Sequence, residues 1–131
     1  MEKLDHSTFV EQAMSQSTGF TDQFAAERRD LDRCQFDAGS DAGHYESYFL
    51  RANHPDKPLA FWVRYTIFSP KGRPHENLGE LWVIYFDGET RQVTAAKEEV
   101  PFSSCQFSSE GLDVSIADIG RLVPGLSLIH I

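Results

Sequence analysis

The run Leu59–Ser69 (LAFWVRYTIFS) constrains the fold more than any other stretch of the chain. It is dense in β-branched and aromatic residues, and Pro58 and Pro70 bracket it so that no helix can run through. Alternate positions point to opposite sides of a strand, which puts Phe61, Val63, Tyr65 and Ile67 on one face and Trp62, Arg64 and Thr66 on the other. Large apolar groups stand on both faces. A half-exposed antiparallel sheet would keep one face polar, so this sheet is expected to be covered on one side and to line a cavity or a second layer on the other.

The neighbouring segments extend the same pattern. His44–Ala52 (HYESYFLRA) is a predicted strand, and the Asn53–Pro58 turn contains Pro55 and Pro58. Pairing Ala52 with Leu59 would place Tyr48 and Leu50 beside Phe61, Val63, Tyr65 and Ile67, with Tyr45 and Phe49 on the other face. After a loop at Pro70–Gly79, Glu80–Asp87 (ELWVIYFD) shows Trp82, Ile84 and Phe86 on one side and Leu81, Val83 and Tyr85 on the other. Asp87-Gly88 is a hairpin signal, so Arg91–Val100 should return beside it. Short strands at Phe102–Phe107 and Leu112–Ile116, joined by a turn at Ser108–Gly111, complete an antiparallel meander. The fold class is mainly β, a barrel or a strongly curved sandwich with an apolar interior.

Residues 1–43 are different in kind. They hold four cations against nine carboxylates, most of the net charge of −8 carried by the 131 residues. Ser7 or Thr8 can cap a short helix through Phe9, Val10, Ala13 and Met14 that Gly19 would stop, and a second helix can start at Thr21. Its apolar stripe, Phe24, Ala25 and Leu31, is thin, so this helical arm would pack on something larger. Asp37–Gly43 (DAGSDAG) reads as a connector built of turn-forming residues.

The acidic balance, with only Arg28 and Arg29 as adjacent cations, excludes nucleic acid as an expected partner. No stretch reaches the length of a transmembrane segment, and Met1–Phe20 lacks the layout of a secretion signal. Cys34 and Cys105 are expected as free thiols in a cytoplasmic protein. His44, Glu46, His54 and His75 match no metal-ligand spacing, the glycines form no phosphate-binding loop, and Cys105 lies in no nucleophile motif. No metal or cofactor is expected.

Arg64 is the most informative single residue. A guanidinium within so apolar a strand needs a partner, and Glu46 and Glu80 are the candidates. It forms a structural cross-strand pair, takes an exposed position, or is a polar point inside a ligand cavity.

The block HYESYFLRANHPDKPLAFWVRYTIFSPKG, followed by GELWVIYFDGET and KEEVPFSSCQF, resembles the N-terminal region of the AttH-like, lipocalin-like proteins. That group includes carotenoid 1,2-hydratase (hydroxyneurosporene synthase) and, more distantly, tocopherol cyclase. ESYFLRA, WVRYT, GELW and the FD closing the third strand carry the resemblance, over residues 44–107. It implies a lipocalin-like barrel followed by a second such domain, enclosing an apolar space for an isoprenoid or other lipid. It carries over no catalytic residue.

The expected ligand-binding residues are Glu46, Trp62, Arg64, Tyr65 and Trp82. In one alternative, the chain begins an isoprenoid hydratase or cyclase in which Glu46 protonates a double bond and Trp62, Trp82 and Tyr65 steady the cation. In the other, it is a non-catalytic interaction domain using the acidic arm. The last six residues, Leu126–Ile131 (LSLIHI), match the translation of a transposase mosaic end used in sequencing libraries. On that reading Gly125 is the last native residue, 44–125 is a truncated β domain, and a missing C-terminal domain of the same chain is its partner.

Overall fold

A computed structural model of the chain describes residues 31–129. The two helices expected before Leu31 lie outside the described residues. From Asp32 to Gly43 the chain is irregular, with the expected turns in the DAGSDAG segment. Asp37 Oδ1 accepts a hydrogen bond from the Gly39 amide at 2.9 Å, and Ser40 Oγ accepts one from Ala42 at 3.2 Å.

Eight strands follow: β1 (His44–Asn53), β2 (Leu59–Ser69), β3 (Leu78–Asp87), β4 (Gln92–Pro101), β5 (Cys105–Phe107), β6 (Val114–Ile116), β7 (Gly120–Val123) and β8 (Leu126–Ile129). They form two four-stranded antiparallel sheets, ordered β1-β2-β3-β4 and β5-β6-β7-β8. The expected meander is present, but it does not close into a barrel. Among the described residues β1 and β4 are the edges of the first sheet and do not pair with each other. Pro101, which has no N–H to give to a ladder, ends β4, and the 3₁₀ turn Phe102–Ser104 redirects the chain into a separate sheet.

The register pairs Ala52 with Phe61, not with Leu59, a shift of two residues that leaves each side chain on its expected face. The inner face carries Phe61, Val63, Tyr65 and Leu81, which pack with Val114, Ile116 and Leu122 of the second sheet. Burying side chains of this size contributes about 1.5–3 kcal/mol each, so this face is the core. Tyr65 is fully buried there, and its hydroxyl contacts Ser127 Oγ at 3.1 Å and donates to the Arg121 carbonyl at 3.2 Å.

Two glycines let the sheets approach. A Cβ on Gly79 would stand 2.2 Å from Cys105 Sγ, and one on Gly120 would stand 2.8 Å from Leu81 Cδ2. The Asp87-Gly88 signal marks the β3–β4 connection as expected, though as a longer loop. Asp87 Oδ1 accepts from the amides of Glu89 and Thr90, Arg91 takes a positive φ of 58°, and the Gly88 amide donates to the Pro58 carbonyl at 2.7 Å. Among the described residues no helix is long and apolar enough to cross a membrane.

Candidate functional site

The outer face of the first sheet follows from the register. One row across the four strands reads Phe49, Arg64, Trp82, Lys97, and the next reads Arg51, Trp62, Ile84, Ala95. Aromatic rings and cations alternate along the first of these rows. The Arg64 guanidinium carbon lies 5.1 Å from the Trp62 ring centre and 5.3 Å from that of Trp82, so the cation is held between two indoles. Lys97 Nζ covers Trp82 at 4.6 Å. Phe49 meets Trp62 at 6.5 Å.

This face is open. Tyr45, Phe49, Phe68, Phe86 and Val93 all belong to it and are among the most exposed large apolar side chains, with Phe49 and Val93 each 62% exposed. Phe49, Phe86 and Val93 lie with Trp62 and Ile84 in three neighbouring rows, while Tyr45 and Phe68 lie beyond the polar row Ser47, Thr66, Glu80 and Glu99; exposed apolar groups gathered in this way suit a surface that takes a ligand or a partner. Among the described residues no second layer covers this side.

Glu80 organises one end of the row. Its carboxylate accepts from Trp82 Nε1 at 3.1 Å and pairs with Lys97 Nζ at 3.0 Å, while Lys97 also binds Glu99. Burial opposes its ionisation, but the bonds from Trp82 and Lys97 outweigh burial and hold its pKa below the ordinary value.

Glu80 is therefore committed to Trp82 and Lys97 and does not pair with Arg64. Glu46 does not pair with it either, because Glu46 sits opposite Ile67 and faces inward, away from Arg64. Arg64 has no carboxylate within ion-pair distance among the described residues. Its Nε is removed from solvent without a hydrogen-bond partner.

Of the five residues expected to bind ligand, Trp62, Arg64 and Trp82 stand together on the outer face, while Glu46 and Tyr65 stand on the opposite one. Tyr65 is sealed in the core. Glu46 has a different setting at the end of β1. It contacts His44 Nε2 at 2.7 Å and accepts from the Tyr48 hydroxyl at 2.8 Å, the Gln35 amide at 3.1 Å and, weakly, Cys34 Sγ at 3.7 Å.

Burial disfavours the Glu46 anion, yet the bonds from His44, Tyr48 and the Gln35 amide prevail and lower its pKa. A group that lends its proton to a double bond needs the opposite shift. Burial, followed by the neighbouring Glu46 carboxylate, pushes the Tyr48 hydroxyl well above its usual value. The Cys34 thiol is raised by burial, with the nearby Glu46 charge acting in the same direction.

The Glu46 cluster ties the Cys34–Phe36 segment to the sheet. The Cys34 amide donates to the Ser108 carbonyl at 2.8 Å, and the Phe36 ring lies 5.2 Å from His44 and 4.9 Å from Phe102. These contacts close the end of the molecule where the two sheets meet.

No protein-family model, curated protein or solved structure matches the chain. The site is therefore read from its own chemistry. Among the described residues no group of three His, Cys, Asp or Glu side chains is placed to hold a metal ion. His54 instead serves the β1–β2 turn, where its Nδ1 accepts from the amides of Asp56 and Lys57.

The sequence reading placed Phe49 on this face without counting it as a binding residue, and it missed Lys97. The register sets Phe49 directly opposite Arg64 and Lys97 directly opposite Trp82. It also missed the partners of Glu46. The spacing of His44, Glu46 and Tyr48, two residues apart on one strand face, was the available signal.

Proposed function

We propose that the chain binds an extended apolar ligand, of the isoprenoid or lipid class, on the open face of its first sheet. The observation that carries this reading is the Trp62–Arg64–Trp82 stack set among exposed Phe49, Phe86 and Val93. Rings of this size supply apolar area with little rotamer entropy to lose on binding. The resemblance of residues 44–107 to AttH-like, lipocalin-like proteins supports the same ligand class. The binding surface is an open sheet, in place of the enclosed barrel interior that the resemblance implies.

The test is titration of the protein with farnesol, a neutral isoprenoid alcohol, following the emission of Trp62 and Trp82. Saturable change is expected, and Trp62→Ala or Phe49→Ala should weaken binding about tenfold, as truncation of a central aromatic does. An emission spectrum unaltered by excess farnesol would overturn the proposal.

A further inference from the structure

We infer that the ligand of this face carries a single carboxylate, which docks on Arg64. The inference rests on the reading of the outer face as a ligand site. Arg64 has five N–H donors, and among the described residues none meets an acceptor, while Nε is cut off from water as well. The two terminal nitrogens, unlike Nε, are not sealed from solvent, and an incoming carboxylate can bond there.

The neighbouring cation shows the contrast. Lys97 already has Glu80 and Glu99, whereas the closest neighbours of Arg64 in the sheet are Phe49, Trp62, Thr66 and Trp82, none of them acidic. The row arrangement withholds a counter-ion from Arg64.

The charge of the face sets the charge of the ligand. Arg51, Arg64 and Lys97 stand against Glu80 and Glu99, a surplus of one positive charge in a chain whose net charge is −8. The surplus of one positive charge matches one monoanion, and the planar fork of Arg64 matches the two oxygens of a carboxylate. A phosphate dianion would exceed that surplus. An anionic bilayer is recognised by clusters of several cations, which this face does not have. The apolar part of the ligand lies over Phe49, Trp62, Ile84 and Phe86, so the occupant is a monomeric long-chain carboxylate.

The experiment compares dodecanoate with dodecan-1-ol, both as monomers, by calorimetry and tryptophan emission at a pH where the acid is ionised. Dodecanoate should bind about tenfold or more tightly than the alcohol, the scale of a hydrogen bond to a charged group. In Arg64→Met the preference for the acid should disappear, and Arg64→Lys, which keeps the charge but loses the fork, should retain part of it. Circular dichroism of each variant establishes that it is folded. Equal affinity for acid and alcohol in the parent protein would overturn the carboxylate assignment while leaving the apolar reading intact. Uptake of neither would overturn both. Sedimentation with anionic vesicles in the absence of dodecanoate binding would also overturn it.

Discussion

Gly79 and Cys105 approach so closely that the glycine leaves no room for a methyl group: a Cβ built on it would stand 2.2 Å from the cysteine Sγ and 3.1 Å from Ile116 Cδ1. This contact is where β3 of the first sheet meets the start of the second. Gly79→Ala should therefore destabilise the protein by about 1–3 kcal/mol, the usual cost of overpacking, although alanine suits a strand better than glycine. Cys105→Ala removes the sulfur, so Gly79→Ala should cost measurably less in that background. Urea denaturation of the four members of the cycle checks this, and equal costs in the two backgrounds would show that the sulfur is not the obstacle.

Tyr65 joins the sheets through its hydroxyl, which reaches Ser127 Oγ in β8 and the Arg121 carbonyl in β7. Tyr65→Phe should lower stability by about 1–2 kcal/mol, since it leaves polar groups without a partner at a buried position. Ser127→Ala should cost less, and the double variant should lose less than the two separate effects combined. Denaturant midpoints measured for all three variants give the coupling directly.

Glu46 gives the protein an acid-sensitive fastening. Its native pKa is lowered, so its contribution is complete above the unfolded glutamate value of about 4.3 and is lost as the pH falls through the native value. Glu46→Gln should reduce stability at neutral pH and shrink the difference between neutral and acidic unfolding curves. The same variant removes the negative charge beside Cys34, one of the causes that raise the thiol. The pH midpoint for alkylation of Cys34 by iodoacetamide should move downward. A uniform rise in rate without a shift of midpoint would mean that the segment had merely loosened.

Much of the first sheet was legible because its strands carry strong local signals. The boundaries Leu59–Ser69 agree between sequence and structure, since the prolines on either side and the β-branched and aromatic content leave little choice. Face assignment was legible for the same reason, as Phe61, Val63, Tyr65 and Ile67 alternate strictly with Trp62, Arg64 and Thr66.

Pairing register was not legible. The β1–β2 turn is held by His54, whose amide donates to the Leu59 carbonyl and whose Nδ1 accepts two amides, and nothing in the alternation specifies that geometry. Strand alternation, which the sequence did carry, is what separates Glu46 from Arg64: Glu46 shares the face of Tyr48 and Leu50 and stands opposite Ile67, so no choice of rotamer brings it to the outer face. The strands β7 and β8, GRLV and LSLI, are too short for a period to show. Of the candidate site, the three residues that share strand parity across β2 and β3 were brought together, and the two of opposite parity were not.

In both sheets every strand is bonded to its neighbour in sequence, with no crossover. Each pairing therefore closes only a short loop, which keeps the entropy of search small for an all-β chain. The first four strands can zip in order as hairpins before the remaining four exist as a sheet. Docking of the second meander onto the inner face, with Gly79 and Gly120 allowing close approach, joins two such locally paired units through contacts more distant in sequence.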